Sequence, residues 1–253
     1  MPLDVAAKRA AFRDLHREGC FVLPNPWDIG GVRRLETLGF KAIASTSAGA
    51  ATPLGKADYQ LTRQEVLDHL RWLAASTDLP LNADFEGGFA DAPEGVAEGV
   101  TLCVDTGVAG LSIEDRSAGG LYDRSLAIER IAAAKAAIAA TGQDVMLIGR
   151  CEAFLVGRSD LNEVIDRLVA YAEAGADCLY APGVRDLDQV RAVVAAVAPK
   201  PVNVLMAWPG QDVPSLAEAG VRRVSVGSAL ARAAWSEFDR WAAMLASEGR
   251  FPQ

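Results

Sequence analysis

Four times in this chain a helix-forming stretch ends on a glycine and gives way at once to a short apolar run: Leu38-Gly39-Phe40, Thr106-Gly107-Val108, Ala174-Gly175-Ala176 and Ala219-Gly220-Val221. Glycine enters the left-handed conformation without a Cβ penalty, so it ends a helix and turns the chain back toward a sheet. A chain that repeats this move alternates helix with strand, and strands joined through helices lie parallel. The apolar runs then number eight: residues 20–24, 42–46, 79–84, 110–114, 145–150, 178–181, 202–206 and 223–226. Helices are expected at about 4–18 and 30–38, from 126 to 140 and from 161 to 174. Another opens at Thr62, where Glu65 three residues on has the spacing of a capping box. A long loop is expected after the second strand.

Eight βα units favour a closed (β/α)8 barrel with an additional N-terminal helix, in one domain spanning 1–253. The rival is an open parallel sheet, which shares the alternation. The count of eight and the lack of a glycine-rich dinucleotide fingerprint near the first strand favour the barrel; Gly30-Gly31 follows Asp28-Ile29 and does not form GxGxxG. A length of 253 residues suits this fold, and a hydrophobic share of 51% with 23% charged residues suits strands covered on both faces.

In a barrel the carboxyl ends of the strands make the functional face. The residues there are Asn25, Thr46, Asp84, Glu86, Glu114, Arg150, Glu152, Pro182, Asn203, Ser225 and Gly227. Asp84 and Glu86 flank Phe85, and Glu114 ends the apolar run 109–113, where an unpaired carboxylate is costly. Converging oxygen donors are the ligand chemistry of a hard divalent cation; a salt bridge from Arg150 or Arg116 would answer the same cost. Arg150 can grip a carboxylate or phosphonate through paired hydrogen bonds, or hold Glu152 or Glu114 internally. Thr46-Ser47-Ala48-Gly49 offers hydroxyls and successive N–H groups, or a plain turn. Asn203 interrupts an apolar strand as an interior group or a substrate contact.

Other chemistries are disfavoured. A formal charge of −8 without a Lys/Arg cluster argues against nucleic acid. Cys20, Cys103, Cys151 and Cys178 form no CxxC pair and read as reduced thiols. His16 and His69 fall on expected helices, which disfavours zinc or triad chemistry. Neither a signal core nor a long apolar run is visible, so no membrane partner and a cytoplasmic location are expected. Trp208, Trp235 and Trp241 read as packing or interface residues, with Trp235, Phe238 and Trp241 forming an aromatic stripe on the terminal helix that suggests a subunit contact.

Four pieces of sequence together carry a resemblance: Asp84-x-Glu86-x-Gly88, Ile113-Glu114-Asp115, Gly149-Arg150-Cys151-Glu152-Ala153, and Leu54-Gly55-Lys56-Ala57-Asp58. The chain resembles the isocitrate lyase and phosphoenolpyruvate mutase superfamily from about residue 20 to about 235. That resemblance implies magnesium, with manganese as the alternative, near Asp84, held directly or through water with Asp58, Glu86 and Glu114. It also implies a 2-oxo-acid site lined by Thr46, Ser47 and Ala48, with Arg150 on a small anionic substrate. Asp58, Glu114 and Arg150 are the candidate catalytic side chains, and Asn203 joins the substrate-binding set. Homodimers or homotetramers, with the last barrel helix open to exchange between subunits, are implied as well. The chain departs from the lyases after Glu114: they carry Lys-Lys-Cys-Gly-His or Lys-Arg-Cys-Gly-His, and here the run is Asp115-Arg116-Ser117-Ala118-Gly119-Gly120, without cysteine or histidine. The Asp-x-Asp of the superfamily is also Asp-x-Glu. The expected activity is therefore carbon–carbon lysis through a pyruvate-enolate type of intermediate. Oxaloacetate decarboxylation leads, ahead of phosphonopyruvate chemistry and of methylisocitrate cleavage, with the proton coming from Tyr122, Tyr180 or water. A non-catalytic metabolite-binding barrel is the remaining alternative.

Overall fold

The computed structural model describes residues 4–251. Its barrel strands are β1 (Phe21–Leu23), β2 (Ile43–Ala44), β3 (Leu81–Asp84), β4 (Gly110–Glu114), β5 (Met146–Arg150), β6 (Cys178–Tyr180), β7 (Val202–Leu205) and β8 (Arg223–Ser225). Parallel pairing runs from β1 through β8 and back in order to β2. Across the remaining seam the Ala44 N–H donates to Pro24 O at 3.0 Å, which brings the ring to near closure. The fold is the expected (β/α)8 barrel.

The helices are α1 (Val5–Leu15), α2 (Ile29–Thr37), α3 (Ser47–Ala51), α4 (Arg63–Ala75), α5 (Pro93–Val104), α6 (Arg124–Ala140), α7 (Leu161–Glu173), α8 (Leu187–Val197), α9 (Val213–Glu218) and α10 (Ala229–Glu248). Thr62 and Glu65 make the capping box that opens α4. Gly39 and Gly175, with φ of 82° and 106°, confirm that the helix stops depend on left-handed turns.

Two layers of core hold the barrel. The outer one lies between sheet and helices and runs through residues such as Leu70, Phe85, Val100, Leu111 and Leu168. The inner one fills the barrel with Phe12, Leu23, Ala44, Met146, Ile148 and Tyr180 among others. Phe12 comes from α1, which seals the amino-terminal end. A Cβ on Gly110 would sit 2.8 Å from the Phe12 ring, so only glycine admits this close approach. Arg9 fixes the same helix by donating to Val108 O at 3.0 Å and Val104 O at 2.8 Å.

Two local features differ from the sequence expectation, and the terminal helix agrees with it. The segment after β2 begins as a short helix, α3, because the Thr46 hydroxyl accepts from Gly49 N–H and caps it. After Glu114 the chain forms a small antiparallel hairpin, pairing Arg116–Ser117 with Gly120–Leu121. The terminal helix α10 also stands apart from its own barrel: of its 20 residues Ala231 is the buried one. Ala231 packs close to α3, where a Cβ on Gly49 would lie 3.3 Å from its own Cβ. Phe238 is 61% exposed and Trp241 40%. Among the described residues no helix is long and apolar enough to cross a membrane.

Candidate active site

Parallel pairing aligns Glu114 with Arg150, Arg150 with Tyr180, Tyr180 with Asn203 and Asn203 with Arg223. Laterally paired residues share a face of the sheet, so this row projects into the barrel from β4 to β8. Arg150 lies at its centre of charge. Its Nη1 is 2.8 Å from Glu114 Oε1 and 3.2 Å from Asp84 Oδ1, and its Nε is 2.5 Å from Glu152 Oε1. The guanidinium also lies over the Tyr180 ring at 5.1 Å. Both readings offered for Arg150 bear on this geometry: the ion pairs are formed, and the side chain lines the cavity.

The other Glu114 oxygen, Oε2, accepts from Tyr59 OH at 2.8 Å. Burial raises the Glu114 carboxyl well above the ordinary range, against the opposing pull of Arg150. Asp84 Oδ2 accepts from the Ser47 N–H at 2.9 Å and from the Ser47 hydroxyl at 3.0 Å, and that hydroxyl is also 3.4 Å from Asp58 Oδ1. Burial first, then the Asp84 charge, raises the Asp58 carboxyl. Glu86 follows β3 in a left-handed turn, with φ of 47°, and its Oε1 is buried without a hydrogen-bond partner. Burial, then Asp84, then Asp58, pushes the Glu86 carboxyl up to about 8. Tyr59 and Glu86 are both non-glycine residues at positive φ, a conformation that is held only when surrounding structure imposes it.

A cavity of about 430 Å³ opens on this face. Among the sequence candidates it takes in Thr46, Ser47, Ala48, Asp58, Asp84, Glu114, Arg150 and Asn203. Asn25, Ser225 and Gly227 also line it, whereas Glu152 is fully buried behind Arg150. Glu86 instead lines a second, shallower hollow with Arg116 and Tyr122; Tyr59 borders both. Tyr122 is thereby separated from the main cavity, its hydroxyl held by Asp91. Tyr180 remains inside the cavity.

Of the two ways in which Asp58, Asp84, Glu86 and Glu114 are expected to hold a cation, directly or through water, the side-chain positions favour the second. Among the described residues no group of three or more His, Cys, Asp or Glu side chains is arranged to hold an ion. The reason is local: both Glu114 oxygens are engaged by Arg150 and Tyr59, and Asp84 leans on Ser47 and Arg150. The donor chemistry nonetheless fits a hard cation held largely through water. The unpartnered Glu86 Oε1 and the mutually repelling Asp58, Asp84 and Glu86 leave negative charge that Arg150 and Arg116 offset in part.

Several lining residues gave no local sequence signal. Trp208, read as packing or interface, borders the cavity with Arg185 stacked 4.1 Å from its ring centre. Tyr59 adjoins Asp58 in the chain without a motif to mark it, and its ring carries Arg116 at 4.2 Å. Arg223 and Arg232 also border the cavity. Asp115 proves to be a brace: Oδ1 accepts from the Glu152 N–H at 2.7 Å, and Oδ2 from Tyr171 OH at 2.7 Å and Arg167 at 3.2 Å.

Comparison with known proteins gives a consistent picture. The pattern of the family described as phosphoenolpyruvate phosphomutase matches residues 12–246. An uncharacterised protein of Mycobacterium tuberculosis is 34% identical over 220 residues, covering 86% of this chain and 82% of the relative. The oxaloacetate decarboxylase of Bradyrhizobium sp. is 29% identical over 229 residues, covering 87% and 77%. The crystal structure of a putative lyase/mutase from Burkholderia cenocepacia superposes with a TM-score of 0.95 at 47% identity, over 98% of this chain and 91% of that one. Oxaloacetate acetylhydrolase with its product oxalate superposes with a TM-score of 0.89 at 28% identity, over 100% and 90%.

Proposed function

The chain belongs to the phosphoenolpyruvate phosphomutase family, and from that premise we propose that it is a magnesium-dependent carbon–carbon lyase that decarboxylates a small 2-oxo acid of the oxaloacetate type. The observation that carries this reading is the lining of the cavity. It brings the carboxylate–arginine cluster to one wall and, among the described residues, includes neither cysteine nor histidine. Cleavage that begins with removal of a hydroxyl proton needs a base near its pKa of action. Loss of carbon dioxide needs none, because the departing carboxylate leaves its electron pair on C3.

A divalent ion near Asp84, Asp58 and Glu86 would supply positive charge where the enolate oxygen develops. The side chains of this chain do the rest. Asp84 is held by Ser47, which fixes the carboxylate at the strand end. Arg150 draws Glu114 and Glu152 inward and keeps their charges from repelling the substrate. Tyr180 lies inside the cavity under Arg150, and its hydroxyl, pushed up to about 12 chiefly by burial, stays protonated and can deliver a proton to C3. The short hairpin after Glu114 leaves Tyr59 to line the main cavity on that side, with Arg116 stacked on its ring from the second hollow.

The same reading places the enzyme in the cytoplasm as a homodimer or homotetramer, with the exposed apolar side of α10 packed on a neighbouring subunit. The test is to strip metal from the protein and supply oxaloacetate, methylisocitrate, isocitrate or phosphonopyruvate with and without magnesium. Pyruvate and carbon dioxide from oxaloacetate, in the presence of magnesium, is the expected result. Glyoxylate or phosphate as the main product, or no metal-dependent turnover of any, would overturn it.

A further inference from the structure

Two hollows open on this side of the molecule, the main cavity of about 430 Å³ and the one beside the hairpin after β4, of about 480 Å³. Among the described residues Tyr59 is the one that lines both. Its contacts divide in the same way. The hydroxyl donates at 2.8 Å to Oε2 of Glu114, which belongs to the main cavity. The ring face carries, at 4.2 Å, the guanidinium of Arg116, which belongs to the second hollow. A ring tied at its tip and stacked on one face is held as a wall between two spaces.

The backbone holds the ring there against its own preference. Tyr59 has a φ of 62°, a left-handed conformation that a bulky side chain rarely adopts, and its N–H donates to Asp58 Oδ1 at 3.1 Å. Gln60 closes the turn: its side chain accepts from the Ala57 N–H at 2.9 Å, and its own N–H donates to Ala57 O at 3.2 Å. Core packing does not call for an aromatic here, since Tyr59 is 37% exposed and belongs to neither core layer. Glycine would make the same turn without strain. The ring itself is therefore what the position requires.

We propose that Tyr59 is a specificity-determining partition, which limits the main cavity to 2-oxo acids that carry little bulk on C3. This rests on the 2-oxo-acid reading of the cavity and adds a size limit to it. The Tyr59 hydroxyl reaches Glu114 and its N–H reaches Asp58, so the residue stands at the wall of acids beside which, on that reading, the reacting carbons lie. A chain extended from C3 meets the ring. Without the ring the two hollows join, and the chain gains the space lined by Phe89, Ala90 and Tyr122.

The test titrates the magnesium-loaded protein calorimetrically with pyruvate and with 2-oxohexanoate, the acids that decarboxylation would release from oxaloacetate and from its 3-propyl derivative. Wild type is expected to bind pyruvate at least about tenfold more tightly, the discrimination that a closed pocket makes against added methylenes. Tyr59→Gly, which suits the left-handed turn, should bring that ratio to one or invert it. Tyr59→Asn also tolerates this φ and has no ring; it should give the same shift with a stiffer loop. Tyr59→Phe keeps the ring, loses the bond to Glu114, and should preserve the discrimination. Equal affinities in wild type, or an unchanged ratio in both Tyr59→Gly and Tyr59→Asn, would overturn the partition alone. So would a loss of discrimination in Tyr59→Phe as complete as in Tyr59→Gly, because the hydrogen bond and not the ring would then set the limit. Binding of neither acid to wild type would overturn the 2-oxo-acid reading and the partition with it.

Discussion

At the amino-terminal end of the barrel the Lys8 ammonium and the Arg9 guanidinium are buried, and backbone carbonyls receive them: Ala74 O lies 3.0 Å from Lys8 Nζ, and Val108 O and Val104 O lie 3.0 and 2.8 Å from Arg9. At the carboxyl-terminal end Arg150 faces Asp84, Glu114 and Glu152, yet Glu86 Oε1 and Glu152 Oε2 are buried with no partner. The first end seals the barrel and gives its buried cations backbone partners, leaving His16 Nε2 as a neutral atom without one. The second leaves charge unsatisfied, a condition that costs stability and is retained where a ligand resolves it. Damage at the two ends should therefore register in different measurements.

The largest expected effect is at the sealed end. Phe12 is fully buried and packs on Gly110 and the inner core. Phe12→Ala should cost about 3–5 kcal/mol of stability by loss of burial and the cavity left behind. Chemical denaturation reads the loss directly, and the turnover per folded molecule should not change. A fall in turnover with stability intact would erase the contrast between the two ends.

Asp84→Ala is the reciprocal experiment and the next in size. It removes the acid around which Ser47, Arg150, Asp58 and Glu86 are arranged. Turnover of oxaloacetate with magnesium should fall by about 10²–10³-fold, the usual cost of losing one transition-state-stabilising group. The thermal midpoint should stay within about 3 °C, because relief of crowding among acids offsets the lost hydrogen bonds. Full activity in this variant would sink the assigned site.

The two ends also titrate in opposite senses. His16, packed against Phe12 and Phe21, has its pKa lowered from 6.5 to about 3, by burial first and then by the Arg223 charge. The unfolded chain binds a proton there that the folded one refuses, so this contribution to stability is complete above about 6.5 and declines as pH falls toward 3. Glu86, raised from 4.5 to about 8, behaves in reverse: its contribution is complete below 4.5 and is lost as pH rises through 8. Each has a limiting slope of about 1.4 kcal/mol per pH unit. In metal-free protein, stability between pH 6.5 and 8 should thus decline because of Glu86, and Glu86→Gln or added magnesium should flatten that decline. His16→Leu should leave it in place and flatten only the acid side. A decline that persists in Glu86→Gln would assign it to another group.

The sequence made some of these features readable and hid others for definite reasons. Gly39 and Gly175 announced their turns because a left-handed cap is a local requirement that few other residues meet. Asp84, Glu114 and Arg150 were readable because each ends an apolar strand, where a charge needs an explanation. Arg223 and Asn203 were not recognisable as partners: they are neighbours by register, and register depends on how the whole ring closes. Trp208 looked like packing because an aromatic in a loop carries no mark of the cavity it borders. How the acids would hold an ion was hidden for a similar reason. Spacing showed that carboxylates gather, but it could not show that Tyr59 and Arg150 would occupy both oxygens of Glu114.

The smallest effect on the barrel itself is expected at α10, which touches both themes. Its first turn supplies Ser228 and Arg232 to the cavity wall, while Phe238 and Trp241 farther along are exposed. An exposed apolar side chain gives little to the monomer, so Phe238→Asp with Trp241→Asp should change its stability by only about 0.5 kcal/mol per site. If α10 packs on a neighbouring subunit, the same change should shift the protein toward monomer in light scattering and weaken substrate binding, because the first turn of the helix lines the cavity. Dissociation with binding intact would separate the two roles: Ala231 seated by Gly49 would then hold the first turn in place without help from a second chain.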